Sequence, residues 1–240
     1  MKAWVLARRE WRVAFDTPIA YVVLALFPAL TAAFFLLMGP FFAQRQASLR
    51  GFFALLPMLF ILVVPATTMR LWAEERRSGT EEILHTYPFR VRDLVLGKFL
   101  GAWGLVFSAL VLTLGIPLAV ASLGPLDWGP VWGGYFGSML LGAACVAIGL
   151  FCSACCRNQI VAWILGALVI LLFNLCGSAA VAAAMPKGLA ALLLQMDFGR
   201  RFESLHRGVI ALPDVVFFVA LTALFLIANG LVVETRRWRS

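Results

Sequence analysis

A chain of 240 residues that is 62% hydrophobic and 13% charged, with mean hydropathy +0.94, cannot hide its apolar surface in one water-soluble core. This composition excludes a soluble domain and points to an integral membrane protein. The net charge of +8 then reads as an orientation and lipid-headgroup signal, not as a nucleic-acid footprint.

Residues 1–16 read as an interfacial helix. Trp4, Ala7, Trp11, Ala14 and Phe15 recur at helical spacing, while Lys2, Arg9, Arg12 and Asp16 fall elsewhere on the wheel. One side suits the acyl boundary and the other the headgroups. The segment is charged throughout and no short apolar run precedes a cleavage site, so no cleavable signal peptide is expected. Thr17 and Pro18 offer an N-cap and a first-turn proline to the helix that follows.

Six apolar stretches are long enough to span, given that about 20 apolar residues cross a hydrocarbon layer of ~30 Å. They are residues 19–39, 52–69, 99–122, 131–152, 160–185 and 215–233. Alternating β-barrel patterning is absent, so the expected class is all-α: one transmembrane domain over residues 1–240. Pro28, Pro57, Pro65 and Pro117 fall inside spans and should kink them. With the N-terminus inside, fourteen Lys and Arg lie on the inner side against six on the outer, which favours both termini in the cytoplasm.

Between the second and third spans lies the charged passage Arg70-Leu-Trp-Ala-Glu-Glu-Arg-Arg-Ser-Gly-Thr-Glu-Glu-Ile-Leu-His-Thr-Tyr-Pro88. It predicts a helix ending near Ser78, a break at Gly79, and a short second helix capped by Thr80. Glu81 and Glu82 place negative charge where the first-turn dipole favours it, and Pro88 forbids continuation. Residues 80–87 would make a rigid knob roughly 12 Å long, small enough for a groove on a soluble partner. Residues 186–212 form the largest outer segment; 189–194 are apolar but too short to cross. With Arg200, Arg201 and Arg207 at the headgroups, the segment is either a ligand-binding cap or a plain hairpin.

The chemistry is informative by its absences. No Asp, Glu, Lys, Arg or His sits inside any of the six stretches, whereas an ion-coupled transporter ordinarily needs such a group, or a broken polar helix. The histidines, His85 and His206, lie outside the spans, so no nucleophile has a base at its own depth. No GxxxxGK[ST] run occurs, so the chain has no phosphate-binding loop and is not expected to be an enzyme. Cys152, Cys155 and Cys156 form a C-x-x-C-C cluster without a histidine or second cysteine pair; packing or incidental thiols are the simpler reading, no metal is expected, and Cys145 and Cys176 read as core. Gly97 with Gly101, Gly133 with Gly137, and Ser138 with Gly142 are small-xxx-small patterns that allow close helix approach. Asn174, deep in the fifth span, is either an interhelical hydrogen-bonding group or a residue lining a substrate path.

The passage from Met69 to Pro88, followed by Val95-Leu-Gly-Lys98, resembles the cytoplasmic loop of ABC-2 type exporter permeases, and most nearly that of the gliding-motility type permease subunits. Arg207-Gly-Val-Ile before the last span, Asp214-Val-Val-Phe opening it, and Glu10-Trp-Arg with Phe15-Asp-Thr-Pro-Ile-Ala-Tyr21 are similar to the same group. The resemblance implies a six-helix permease with an elbow helix (1–16) and a coupling helix within segment 70–90. It also implies docking on a separate ATP-binding cassette ATPase, which uses ATP and Mg while this chain binds no cofactor. A second permease copy, identical or homologous, is implied, with room for an accessory membrane or external subunit. By the same resemblance Glu74, Glu75, Gly79, Thr80, Glu81, Glu82, Leu84 and Pro88 match the motif that meets the ATPase. His85-Thr-Tyr stands where relatives often carry Leu-Thr-Leu. The implied location is a bacterial inner membrane. A membrane anchor that recruits soluble proteins without transport is the rival of another class, and an ATP-independent channel a third.

Overall fold

The computed structural model describes residues 2–38, 48–79, 90–178, 181 and 186–237, and among them the regular structure is helical throughout. In chain order the helices are α1 (Lys2–Phe15), α2 (Pro18–Ala33, continued by a π-helical turn, Phe34–Met38), α3 (Arg50–Thr68), α4 (Arg70–Arg77), α5 (Val91–Leu112) and α6 (Gly115–Leu123). There follow α7 (Trp128–Cys155), α8 (Gln159–Leu175), α9 (Lys187–Met196), α10 (Phe198–His206) and α11 (Leu212–Arg237). Among the described residues five helical stretches are long and apolar enough to cross a membrane: Pro18–Leu37, Arg50–Arg77, Val91–Leu123, Trp128–Cys155 and Leu212–Arg236. Where sequence predicts a further span, α8 is apolar but has 17 residues, roughly 25 Å of helix. Residues 179–180 and 182–185 of that expected span lie outside the described residues. The protein is a multi-pass membrane protein.

Small residues decide which helix is central. α7 carries Gly133, Gly134, Gly137, Gly142 and Gly149 among alanines and serines, and it packs against α3, α4, α5, α8, α10 and α11. A Cβ on Gly134 would lie 2.6 Å from the Phe53 ring, and one on Gly149 2.2 Å from Thr68 Oγ1. Backbones this close are what small residues permit in a membrane, where lipid is as apolar as leucine. Pro117 breaks the third span, as the sequence predicts for a kink. The missing N–H of Pro117 leaves the Thr113 carbonyl without its ordinary donor; Ile116 N donates to it at 2.9 Å instead, and Thr113 Oγ1 pairs with Tyr135 OH at 3.1 Å.

The bundle has two ends. At the proximal end α1, α4 and the start of α5 gather around the close of α7 and α11; at the distal end α10 seats beside the starts of α3 and α7. The two glycine pairs are spent inside the chain. Cβ atoms on Gly97 and Gly101 would lie 2.6 Å from Leu6 Cβ and 2.8 Å from Glu10 Cβ, so α1 is seated on α5. The inward side of α1 is Leu6, Ala7 and Ala14, whereas Trp4 and Trp11, seven residues apart, form an exposed stripe. Gly133 and Gly137 receive α10, through the Leu205 carbonyl and the Leu205 and Phe202 side chains.

The outer segment expected to lie at the headgroups is therefore partly internal. Phe198, Phe202 and Leu205 are almost wholly buried, and the Phe198 ring stacks on Phe173 of α8 at 4.9 Å. Asp197 caps α10 through the N–H groups of Gly199 and Arg200. Arg200 and Arg207 are exposed, but Arg201 bonds Asp214 at 3.0 Å and the Gln195 carbonyl at 2.8 Å. Burial lowers the His206 pKa from its ordinary 6.5, against the opposing pull of the Phe202 carbonyl and Glu203. A group with a depressed folded pKa binds protons more readily when unfolded. Its contribution to stability is thus full above about pH 6.5 and is lost as pH falls through the lower folded value. Melting temperature should drop on acidification through that window, and His206→Gln should flatten that part of the profile.

Candidate coupling site

The charged passage starts as α4, and three contacts with the end of α7 fix it. Ser153 Oγ accepts from the backbone N–H groups of Trp72 (3.1 Å) and Ala73 (3.3 Å) and donates to the Met69 carbonyl (2.9 Å). A side chain set into the i→i−4 ladder is a recognised cause of a helix joint; this one separates α3 from α4. Arg76 closes the other end, donating from Nη1 to the Cys156 carbonyl at 2.9 Å and from Nη2 to the Ala154 carbonyl at 2.6 Å. The last carbonyls of a helix lack internal donors and carry its negative dipole end, so a guanidinium is well placed there. Between these ties Trp72 and Ala73 are 1% and 0% exposed.

Lys98 joins α4 to two more helices. Its Nζ lies 2.5 Å from Glu75 Oε1 of α4 and 3.5 Å from Glu10 Oε1 of α1, and it donates to the Leu71 carbonyl at 2.8 Å. The Trp72 ring centroid is 4.9 Å from the same nitrogen, within reach of a cation–π contact. With Lys98 only 2% exposed, its charge is tolerable because two carboxylates, a carbonyl and a ring face replace water. On the adjoining face Arg70 bonds Thr17 Oγ1 and feels the charges of Glu74 and Glu10. The result is a platform in which α1, α4, α5 and α7 are tied by charge and backbone bonds.

The chain leaves this platform where sequence puts the break. α4 ends at Arg77, Ser78 caps it by donating its backbone N–H to the Glu74 carbonyl at 2.9 Å, and Gly79 adopts φ +71°. That left-handed backbone is the usual helix exit and favours glycine. Of the sequence-predicted site residues, Glu74 is exposed, Glu75 is turned inward to Lys98, and Gly79 is exposed. Thr80, Glu81, Glu82, Leu84 and Pro88 lie outside the described residues. Asn174 is elsewhere: half-buried on α8, it donates to the Ile170 carbonyl of its own helix at 3.0 Å.

Lys98 and Glu10 are the members of this cluster that site reasoning from sequence overlooks. The third span opens at Val91, earlier than hydropathy suggests, so a lysine read as flanking lies within the helix. The available signal was a cation beside Gly97 with apolar residues on both sides from Leu94 to Leu100, a placement that calls for an opposite charge. Among the described residues no group of three His, Cys, Asp or Glu side chains is disposed to hold a metal; Cys155 and Cys156 contribute backbone carbonyls to Arg236 and Arg76.

A family model described as ABC-2 family transporter protein matches residues 18–196, a stretch that includes α2 through α9. No curated protein matches the chain.

Proposed function

Because this chain belongs to the ABC-2 family of transporter proteins, we propose that it is the permease subunit of an exporter powered by a separate ATP-binding cassette ATPase. The observation that carries the reading is the platform that precedes residue 80 in the chain: α4 is held to α1, α5 and α7 by Lys98, Ser153 and Arg76. A stem tied to several helices transmits a push to all of them, which a loosely tethered loop does not. In this reading ATP and Mg belong to the partner, and the sequence carries no GxxxxGK[ST] run.

In this reading α8 completes six spans, both termini face the cytoplasm of a bacterial inner membrane, and residues 80–87 form the coupling helix. α1 is the elbow, its exposed Trp4 and Trp11 suited to the acyl boundary. Two copies, or this chain with a homologue of the gliding-motility type, make the transport unit, and Asn174 borders the substrate path. Glu75 holds the platform together, which leaves Glu74 and the residues from Thr80 onward to meet the ATPase. Replacing Glu81 and Glu82 by Lys should release or uncouple the ATPase while membrane insertion is kept; the same double change at Arg45 and Arg50 should be mild. ATPase co-purification and turnover, measured for both pairs, test this. Normal coupling in the Glu81/Glu82 variant would leave a membrane anchor as the better reading.

A further inference from the structure

Asn229 lies in the C-terminal half of α11 with 0% exposure, and neither its Nδ2 nor its Oδ1 has a hydrogen-bond partner among the described residues. A buried amide of this kind is costly, and native proteins hold few of them without a reason. The threonines of the same helix are satisfied: Thr222 donates to the Phe218 carbonyl at 2.7 Å and Thr235 to the Val232 carbonyl at 3.0 Å.

The next residue adds a second, independent observation. Gly230 sits inside the helix, where glycine is less favourable than alanine, yet a Cβ built on it would meet nothing within 4 Å. The glycines of α7 described above each admit a neighbour; Gly230 admits none, so close packing does not account for it. An unsatisfied amide and a glycine with free space beside it thus share one turn of the final span.

Their position matters as much as their chemistry. One turn earlier, the Phe225 ring meets Phe151 at 5.6 Å and Phe173 at 6.4 Å, joining the aromatic stack that reaches α10. One turn later, Val233 is buried in a cluster with Trp72, Leu94 and Leu150 on the proximal platform. Residues four apart share a helix face, so Asn229 occupies the seam between the two halves.

We propose that Asn229 and Gly230 form a hinge in the final span, which bends as the platform shifts and thereby gives the Asn229 amide a partner that it lacks among the described residues. The hinge rests on the permease reading, since it needs two states of a driven cycle.

The test uses the full chain with its ATPase in lipid nanodiscs. Melting is compared between the nucleotide-free complex and one held with ATP by an ATPase variant that binds but does not hydrolyse it. Asn229→Leu should raise the melting temperature without nucleotide and lower it in the ATP-held complex. Gly230→Ala, for which there is room, should cut ATP turnover by roughly tenfold, the scale of a typical coupling between sites, while the complex still assembles. Shifts of one sign in both states, or wild-type turnover in Gly230→Ala, would overturn the hinge alone. A wild-type chain that holds no ATPase would remove the permease reading, and the hinge with it.

Discussion

Lys98→Met should destabilise the protein by about 3–5 kcal/mol, the usual consequence of removing one partner from a buried ion cluster. Methionine keeps the length and much of the apolar volume of the side chain, so the loss isolates the ammonium. Glu75 and Glu10, whose side chains are 18% and 12% exposed, would be left as two carboxylates facing each other without the ammonium that bridges them. α1 should then detach from α5, and the melting temperature should fall together with ATPase coupling. Adding Glu10→Gln and Glu75→Gln should recover most of the stability, because the penalty lies in the uncompensated charges rather than in the lost bonds. A Lys98→Met protein that melts with the wild type would show that the cluster is hydrated and does not tie the platform.

The second large effect is expected at the distal end, from Gly133→Val. The Cβ alone would stand 2.5 Å from the Leu205 carbonyl oxygen and 3.1 Å from Gly208 Cα. Both are backbone atoms, so no rotamer change relieves the clash and α10 must move. Overpacking of this kind costs about 1–3 kcal/mol and occasionally more. A cysteine placed at Leu205, buried at 0% exposure, should become reactive to a water-soluble thiol reagent in the Gly133→Val background, with the native cysteines replaced. Gly104→Ala is the control, since nothing lies within 4 Å of its Cβ, and it should leave Leu205 protected. Continued protection in Gly133→Val would mean that α10 is not seated in this groove.

The contrast between these two sites shows what was legible in the chain and why. Helical spans and the exit at Gly79 could be read locally, from apolar runs and from a glycine after a charged helix. The glycine pairs announced close approach but not the approaching element, because a small surface does not encode its partner. α10 was obscured by its arginines, which suggest a surface segment; yet Phe198, Phe202, Leu205 and His206 recur at the spacing of one helical stripe, and Arg201 is neutralised from α11. The joint after Met69 was hidden for another reason. Its cause, Ser153, stands 84 residues away, beyond the reach of any local pattern. Glu74 and Glu75 are adjacent in sequence, but a helix turns neighbours by about 100°, so one faces outward and the other reaches Lys98.

The anchoring of α4 by α7 also sets an order of events during synthesis. The carbonyls that receive Arg76 and the hydroxyl that receives Trp72 lie about 80 residues downstream. At translation speeds of about 5–20 residues per second, that interval lasts roughly 4–16 s. For all of it, the nascent chain carries a tryptophan, two arginines and their neighbouring carboxylates with no seat on the unfinished fourth span. The α4 platform is therefore completed late, only after the central helix has been made. A chain stalled before residue 153 lacks the hydroxyl and carbonyls that seat α4, so on the proposed function an ATPase that recognises the finished platform would be kept from engaging a half-made permease.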